Sequence, residues 1–312
     1  MLLLRRFTSL IGALFLALPA SAWNYSGHSI IAEIAYERLN PQARVRVDRL
    51  IRDHPDYNRI FIQGAPGATE DDPAALARYA FVRAAPWPDQ IIYSDNRFYD
   101  ELAPNPQPTP LLPGFPDMMR HRAWHYFNHG ISGDGTPVIE QPPPHLMTEL
   151  PRLVAEIGTA DAQQAAYDLP WLVHLTDVHQ PLHVTSRFLK SQPKADAGGN
   201  LVFVEPGGNL HSIWDDAAAP RDLGDDGIVR YAREITAEYP ASAPLSLDPA
   251  DWAAESFELD KSAVYAFGLK TGTKENQLIL PAWYEEKAKY TARQRVAVAG
   301  YRLAAVLNKY LQ

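Results

Sequence analysis

The sequence contains no cysteine among its 312 residues. A disulfide framework and a thiolate metal site are therefore both excluded. The fold has to be stabilised by packing or by bound metal, and any metal has to be held by histidine, aspartate and backbone groups. Zinc accepts such mixed nitrogen and oxygen ligands.

An excess of basic residues is also missing. The 29 lysines and arginines are outnumbered by 37 aspartates and glutamates, which gives a formal net charge of −8. Proteins that bind nucleic acid through surface charge usually carry a basic patch, so the overall charge does not favour binding of that kind. If the protein acts on phosphates, bound metal has to supply the positive charge locally.

Only one long apolar run is present, at the start of the chain. "MLLLRRFTSLIGALFLALPASA" combines a basic segment, an apolar stretch and the small residues 20–22, a pattern typical of a secretory signal peptide. A membrane anchor needs roughly 20 apolar residues, whereas this run is shorter and is interrupted by Pro19. We therefore predict a signal peptide over residues 1–22, a mature chain that begins at Trp23, and a periplasmic or secreted location.

Helical periodicity dominates the rest of the chain. In "HSIIAEIAYERL", Ile30 and Ile34 recur at a four-residue spacing, as on the buried face of a helix. Strand-like alternation occurs only around "NLVFVEPGGNLHSIW", and the proline-rich segments 94–120 and 140–145 predict long loops. The sequence thus predicts a mainly α fold: a single multi-helix domain over residues 23–312, with one short β-hairpin at most and long Pro-rich loops.

Several apolar segments contain side chains of the metal-ligand type. These are Asp89 in "PWPDQ", His125 in "WHYFNH", His174, Asp177 and His183 in "HLTDVHQPLH", and His211 and Asp215 in "NLHSIWD". Each alone is more often a hydrogen-bonded core residue or a cap than a ligand. Burying all of these polar side chains together would cost free energy unless partners compensated their charges and lone pairs. Shared divalent cations provide that compensation, because they neutralise carboxylates and bind imidazole lone pairs.

These motifs resemble those of the S1/P1 nucleases, a family that shares its fold and its trinuclear zinc site with the zinc-dependent bacterial phospholipases C. The resemblance extends from Trp23 to the "AGYRLAAVLN" segment near the C-terminus. It implies three zinc ions, held by Trp23, His28, Asp89, His125, His174, Asp177, His183, His211 and Asp215. In that family the N-terminal tryptophan binds zinc through its α-amine and carbonyl oxygen, and the aspartate matched by Asp177 bridges two ions.

The same resemblance implies three residues for catalysis: Asp89, Asn128 and Asn200. Asn200 of "GGN" matches an asparagine near the scissile phosphate. Asn128 lies three residues after His125, where the nucleases commonly have an aspartate that orients the attacking water. An asparagine can form hydrogen bonds but cannot accept a proton as a carboxylate does. Ile92 similarly occupies a position that is often basic.

The spacing of His174 and Asp177 departs from the family pattern. The two residues are three apart, whereas the family usually separates them by four. At 3.6 residues per turn the two spacings differ by about 100° of azimuth. If His174 is a ligand, a local 3₁₀ or bulged turn has to bring it to the same side as Asp177.

Other histidines are predicted to lie outside the ligand set. His179 is four residues before His183, but Pro181 between them disrupts helical geometry. We therefore expect that His179 either packs behind the metal ligands, without binding metal itself, or lies at the surface. The remaining histidines lie in or beside polar or Pro-rich segments and are predicted to be at the surface: His54, His121, His129 and His145.

Three functions stay open at this point. The first is an exported zinc endonuclease that cleaves the P–O3′ bond of single-stranded DNA or RNA. The active site of such an enzyme would also suit 3′-nucleotides. The second is a phospholipase C, for which the segment between Asp89 and His125 would form a lipid-facing rim: Phe98, Tyr99, Leu111, Leu112 and Phe115. The third is a zinc-binding module without activity, which Asn128 and Ile92 would permit. No obligate protein partner is expected.

Overall fold

The computed structural model describes residues 23–242, 245–268 and 270–312, so the predicted signal peptide lies outside the described residues. Within them the chain is mainly helical, which confirms the predicted fold class. The α-helices are α1 (Tyr25–Tyr36), α2 (Pro41–Asp53), α3 (Gly67–Glu70), α4 (Pro73–Ala84), α5 (Trp87–Tyr93), α6 (Leu146–Glu156), α7 (Ala162–His174), α8 (Leu210–Ala217), α9 (Asp225–Glu238), α10 (Pro249–Leu259) and α11 (Tyr284–Tyr310).

Short 3₁₀ and π-helical segments extend or connect several of these helices. The π-helical turns are Tyr57–Phe61 and Asp260–Val264, and the 3₁₀ segments are Leu175–His179 and Pro181–His183. The first 3₁₀ segment follows α7 directly, and the second begins after one intervening residue, Gln180. They carry most of the "HLTDVHQPLH" motif and therefore set the positions of its side chains.

The β-structure is a single two-stranded sheet in the described residues. Strand β1 (His129–Ser132) and strand β2 (Thr185–Phe188) pair in parallel, with His129 opposite Thr185 and Ser132 opposite Phe188. A parallel pair needs a long crossover, and here α6 and α7 lie between the strands in the chain. The sheet thus joins the segment after His125 to the segment after His183.

The predicted short hairpin reduces to one antiparallel bridge, between Phe203 and Asn209. Pro206 has no N–H to donate to a ladder, and the glycines at 207 and 208 turn the chain at φ values of +126° and +101°. Asn209 then caps α8, where its side chain accepts a hydrogen bond from the backbone N–H of Ser212 at 2.8 Å. The second half of the expected hairpin therefore begins a helix.

Helix α1 lies at the centre of the protein. All of its residues after Tyr25 are buried, and it packs against α11, α9 and α4, while its buried carboxylate, Glu33, is paired with Arg78 at 2.7 Å. The Asn24 side chain caps it by accepting from the Gly27 N–H at 2.9 Å. A Cβ on Gly27 would lie 3.0 Å from the Trp23 Cβ, so Trp23 packs directly on the first turn of the helix.

The Pro-rich segment 94–120 folds inward at its aromatic residues. Phe98 is 1% exposed and Phe115 is 4% exposed, and their rings pack edge to face with centroids 5.4 Å apart. Leu111, at 63% exposed, is the member of the predicted rim that faces solvent. Among the described helices none is long and apolar enough to span a bilayer. Because the rings of Phe98 and Phe115 are buried, the predicted lipid-facing rim is wrong for these two residues.

Candidate metal centre

Histidines and aspartates from distant parts of the chain converge on one buried cluster. It consists of His28 on α1, Asp89 on α5, His125 in the loop before β1, His174 at the end of α7, Asp177 and His183 on the 3₁₀ segments, and His211 and Asp215 on α8. All except Asp89 are at most 2% exposed. The Asp89 side chain is 23% exposed, so the cluster opens to solvent beside Asp89.

The cluster divides into three groups whose ligand atoms lie within 4.8 Å of one another. They are His28 with His174 and Asp177, Asp89 with His125 and His174, and His183 with His211 and Asp215. Each group combines imidazole nitrogen with carboxylate oxygen, the donor set expected of a cysteine-free zinc site. The cluster can therefore hold metal ions at three adjacent places.

The junction between α7 and the first 3₁₀ segment places His174 and Asp177 on the same side. Helix α7 ends at His174, and the 3₁₀ segment begins at Leu175. A 3₁₀ helix has three residues per turn, so residues three apart are superimposed along it. The His174 Nε2 lies 3.8 Å from the Asp177 Oδ2. The local 3₁₀ turn predicted from the three-residue spacing is thus confirmed.

Asp177 is shared between different parts of the cluster. Its Oδ1 lies 3.5 Å from the His28 Nε2 and accepts a hydrogen bond from the Trp23 backbone nitrogen at 3.3 Å. Its Oδ2 lies 3.4 Å from the His183 Nδ1. The His183 Nδ1 carries a proton, so the metal-binding nitrogens next to Asp177 are the His28 Nε2 beside Oδ1 and the His174 Nε2 at 3.8 Å from Oδ2. Asp177 thus lies between the two groups that share His174, where a carboxylate could join two ions.

Backbone carbonyl groups set the orientation of three of the imidazoles. Nδ1 of His174 donates to the Ala85 carbonyl at 3.2 Å, and Nδ1 of His183 donates to the His125 carbonyl at 2.9 Å. The His211 Nδ1 donates to the Gly198 carbonyl at 2.7 Å. Since each Nδ1 carries the proton, each Nε2 keeps its lone pair, as in protein metal sites.

Several buried polar atoms of the cluster have no hydrogen-bond partner within the described part of the chain. They are both ring nitrogens of His28, the Asp89 Oδ1, the His125 Nδ1, the His174 Nε2, the Asp177 Oδ2 and the Asp215 Oδ2. Each such atom costs about 1–3 kcal/mol when buried unsatisfied. The unsatisfied atoms lie together and are nitrogen and oxygen donors of the type that zinc binds. The residues present therefore fit a metal cluster.

Burial also disfavours charge on the isolated side chains. It raises the pKa of Asp89 to about 8 and raises the pKa values of Asp177 and Asp215 well above the usual range. It lowers the pKa values of His28 and His174, with neighbouring histidines adding to the effect. Neutral imidazoles are the form that binds metal, and divalent cations would restore the charge of the carboxylates.

The family model described as S1/P1 Nuclease matches residues 23–312. The chain belongs to the S1/P1 nuclease family. Membership identifies a nuclease-type hydrolase of phosphodiester bonds, and this family is zinc-dependent in general. No curated protein sequence gives a significant match.

Trp23 lies at the edge of the cluster in this S1/P1 family member. Its side chain is completely buried, and its nitrogen contacts Asp177 as described above. The next residue, Asn24, donates its backbone N–H to the Asp215 carbonyl at 3.3 Å. These bonds hold the Trp23 nitrogen beside the ligand atoms, so a free α-amine at this position would be within reach of a metal ion.

Asn128 is linked to the cluster through hydrogen bonds. The Gly198 N–H donates to the Ser186 Oγ at 2.8 Å, and the Ser186 hydroxyl in turn donates to the Asn128 Oδ1 at 2.6 Å. The Gly198 carbonyl also accepts a hydrogen bond from His211, so these hydrogen bonds connect Asn128 to a candidate ligand. Because the Oδ1 of Asn128 is occupied by Ser186, its amide hydrogens are the part of the side chain left for substrate.

Asn200 lies on the tight "GGN" loop, next to the candidate ligand His211. Gly198 has φ +59°, and a Cβ there would lie 2.6 Å from the Leu182 carbonyl oxygen, so glycine is needed for this close approach. The Asn200 Nδ2 donates to the Ala197 carbonyl at 2.9 Å. Asn200 is 5% exposed, and the loop thus holds it in one orientation.

Sequence reasoning did not find three polar residues around the cluster. Gln180 donates to the Asp215 Oδ1 at 2.8 Å. The Tyr93 ring lies 6.3 Å from the His125 ring and is 37% exposed. The charge of Arg122 adds to the effects of burial and of neighbouring histidines that lower the pKa of His125. Gln180 could have been found from its position between two histidines in "HQPLH". Tyr93 and Arg122 come close to the cluster only in the folded chain.

Replacing Gln180 by alanine is expected to weaken metal binding by the group of His183, His211 and Asp215 about 10- to 100-fold. The Gln180 amide orients Asp215 and also accepts from the Leu182 N–H at 2.7 Å. Competition with a chromophoric zinc chelator measures the change. Gln163→Ala, at an exposed position on α7, is the matched control and should bind zinc like the parent. Equal affinities in the two variants would remove the assigned role of Gln180.

The prediction that the remaining histidines lie at the surface is wrong for three of them. His54, His121 and His145 are between 2% and 8% exposed, whereas the side chain of His129 is 42% exposed. His54 lies among aromatic rings and accepts the Asp56 backbone N–H at 3.0 Å. Burial lowers its pKa to about 3. His54 is therefore a neutral core residue, and His121 and His145 are buried as well.

His179 is excluded from the three metal groups, as predicted. Its Nδ1 donates to the Thr176 carbonyl at 2.9 Å, and its Nε2 accepts from the Arg302 Nη1 at 3.0 Å. Arg302 also forms an ion pair with Glu255 at 2.6 Å. His179 therefore ties the 3₁₀ segment to α11 and α10 from behind the cluster.

Proposed function

We propose that the protein is an exported trinuclear-zinc phosphodiesterase, an endonuclease that hydrolyses single-stranded DNA or RNA at the P–O3′ bond. The observation that carries the proposal is the set of unsatisfied nitrogen and oxygen atoms in three adjacent His/Asp groups. Three doubly charged ions against the carboxylates of Asp89, Asp177 and Asp215 would leave a formal charge of about +3. An acidic protein would thereby offer phosphate a cationic site.

The residues at the solvent opening suit a nucleotide. Asp89 is the most exposed of the ligand carboxylates, so substrate approaches from its side. Tyr93 offers a partly exposed ring on which a base can stack. Ile92 on α5, at a position that is often basic in the family, is apolar and buried here. Arg122 places a positive charge near His125.

Zinc, when bound, would polarise the phosphodiester and acidify a water towards neutral pH. Asn128 cannot take the proton of that water, because a carboxamide is not a base. Its amide hydrogens can donate to a phosphate oxygen, and the Ser186 bond holds them in place. Asn200, fixed by Ala197, can donate in the same way. These asparagines therefore bind and orient the phosphate.

A substrate panel tests the proposal: denatured DNA, RNA, 3′-AMP and phosphatidylcholine vesicles, each with chelator, without it and with zinc restored. We expect hydrolysis of the nucleic acids that is lost with chelator and regained with zinc. Hydrolysis of phosphatidylcholine alone would identify a phospholipase C. Zinc binding without hydrolysis of any substrate would identify a binding module.

Metal removal is also expected to lower the melting temperature by roughly 10 °C. The cluster residues come from α1, α5, α7 and α8 and lose their common partner when the ions are removed. Differential scanning calorimetry before and after chelation, with metal content verified, measures the shift. An unchanged melting temperature after complete removal would contradict a metal cluster in the core.

A further inference from the structure

A polar cavity of about 510 Å³ lies beside α5. Apart from Ile60, all of its lining residues are polar, and two of them are the arginines Arg59 and Arg83. Gln90 on α5 forms another part of its wall, together with Ser94 and Asp95 just after that helix. Its volume is in the range of small-molecule sites, but its lining suits a charged or strongly polar ligand rather than an apolar one.

The two arginines differ in how their charges are compensated. Arg59 forms ion pairs with Asp56 at 2.8 Å and with Asp95 at 2.7 Å. Within the described ranges no carboxylate lies at ion-pair distance from Arg83. Its Nη1 donates to the Tyr25 hydroxyl, and its buried Nε has no hydrogen-bond partner there. Arg83 thus presents an uncompensated cation to the cavity.

The cavity and the metal centre share helix α5, because the lining residue Gln90 follows Asp89 directly in the chain. At about 100° per residue, Tyr93 lies about 40° around the helix from Asp89 and Gln90 about 100°. The face that carries the exposed ligand Asp89 therefore passes through Tyr93 to the face that lines the cavity. Arg83 is also joined to Tyr25 on α1, the helix that carries His28.

We propose that the cavity is a subsite for a phosphate one or two nucleotides away from the scissile phosphate, with Arg83 as its anchor. Guanidinium groups bind phosphate oxygens through paired, charge-assisted hydrogen bonds, and the side-chain amide of Gln90 adds a neutral hydrogen-bond donor. Tyr93 lies between the two sites on α5, where it can stack the intervening base. The proposal rests on the proposed function and defines its substrate as a strand rather than a mononucleotide.

Arg83→Gln separates the subsite from the chemistry. With a single strand of about twelve nucleotides, we expect KM to rise at least about 10-fold with kcat within about 2-fold. With bis(p-nitrophenyl) phosphate, which is too small to reach the cavity, kcat/KM should not change. Arg83→Lys should restore part of the affinity. Arg230→Gln, in an exposed pair on α9, is the matched control and should behave as the parent.

Binding without cleavage provides a second measurement. In the presence of chelator, the affinity for a fluorescent single strand is determined by anisotropy at several salt concentrations. The slope of log K against log salt should become shallower by about 0.7 in Arg83→Gln, since one phosphate contact is lost. An equal loss on both substrates, or a lower zinc content, would instead assign Arg83 a structural role through Tyr25.

The two proposals fail in different ways. If the parent shows no metal-dependent hydrolysis but Arg83 still governs strand binding, the proposed function is wrong and the subsite stands. If the parent cleaves single strands and Arg83→Gln matches it in KM and in salt slope, the subsite is wrong.

Discussion

Replacing Asp177 by alanine is expected to lower kcat/KM for single-stranded DNA by at least about 10³-fold and to remove more than one zinc ion per chain. Its two carboxylate oxygens lie beside different metal-binding nitrogens, with Oδ1 3.5 Å from the His28 Nε2 and Oδ2 3.8 Å from the His174 Nε2. Loss of this side chain therefore affects neighbouring groups at once. Elemental analysis and initial rates at saturating zinc measure both effects.

Asp215→Ala is the matched comparison for Asp177→Ala. Asp215 lies close to His183 and His211 of a single group, so its loss should remove one ion and reduce activity less. Both carboxylates are buried, with exposures of 0% and 1%, so the variants should be similar in their effect on packing. If Asp177→Ala retains as much zinc as the parent, Asp177 does not bridge two ions.

One additional methionine before Trp23 is expected to reduce activity at least about 100-fold in a chain that otherwise spans residues 23–312. An amide nitrogen has no lone pair available for a metal, whereas the α-amine of a chain that begins at Trp23 does. In the structure the Trp23 nitrogen lies 3.3 Å from the Asp177 Oδ1. The extended protein should fold and keep the zinc held by His183, His211 and Asp215.

Removal of that methionine by an aminopeptidase should restore activity. If Trp23 only anchors the chain through its buried indole, the extended and trimmed proteins would hydrolyse substrate equally fast and bind equal zinc. That result would refute the amine ligand. The position of the predicted mature N-terminus at Trp23 would then have no consequence for metal binding.

The clustering of the histidines and aspartates could be anticipated because several of them lie in short, dense motifs, while Trp23 and His28 were assigned through the family resemblance. The role of all these residues as metal ligands stays a prediction. His174, Asp177 and His183 occur within ten residues, and His211 and Asp215 are one helical turn apart. The structure brings all of these side chains together. The three-residue spacing of His174 and Asp177 indicated that a 3₁₀ or bulged turn is needed if His174 is a ligand, because helical geometry relates spacing to azimuth, and the structure has the 3₁₀ form.

Features that depend on contacts between distant segments could not be predicted in this way. His54 follows a polar helix and precedes a proline, which favours the surface, but the rings of Phe61 and Trp87 cover it. Phe98 and Phe115 lie in a Pro-rich segment, yet they pack against each other in the core. The Arg83 cavity likewise forms only when α4 and α5 come together. Local patterns do not indicate which distant side chains will cover a segment.

Anomalous diffraction at the zinc absorption edge, on crystals of the chain beginning at Trp23, tests the central claim most directly. We expect three zinc peaks in the cluster, two of them sharing Asp177 and the third between His183, His211 and Asp215. The same preparation should hydrolyse single-stranded DNA and lose that activity when chelation removes the peaks. Full activity in protein whose crystals show no metal at these residues would contradict the account.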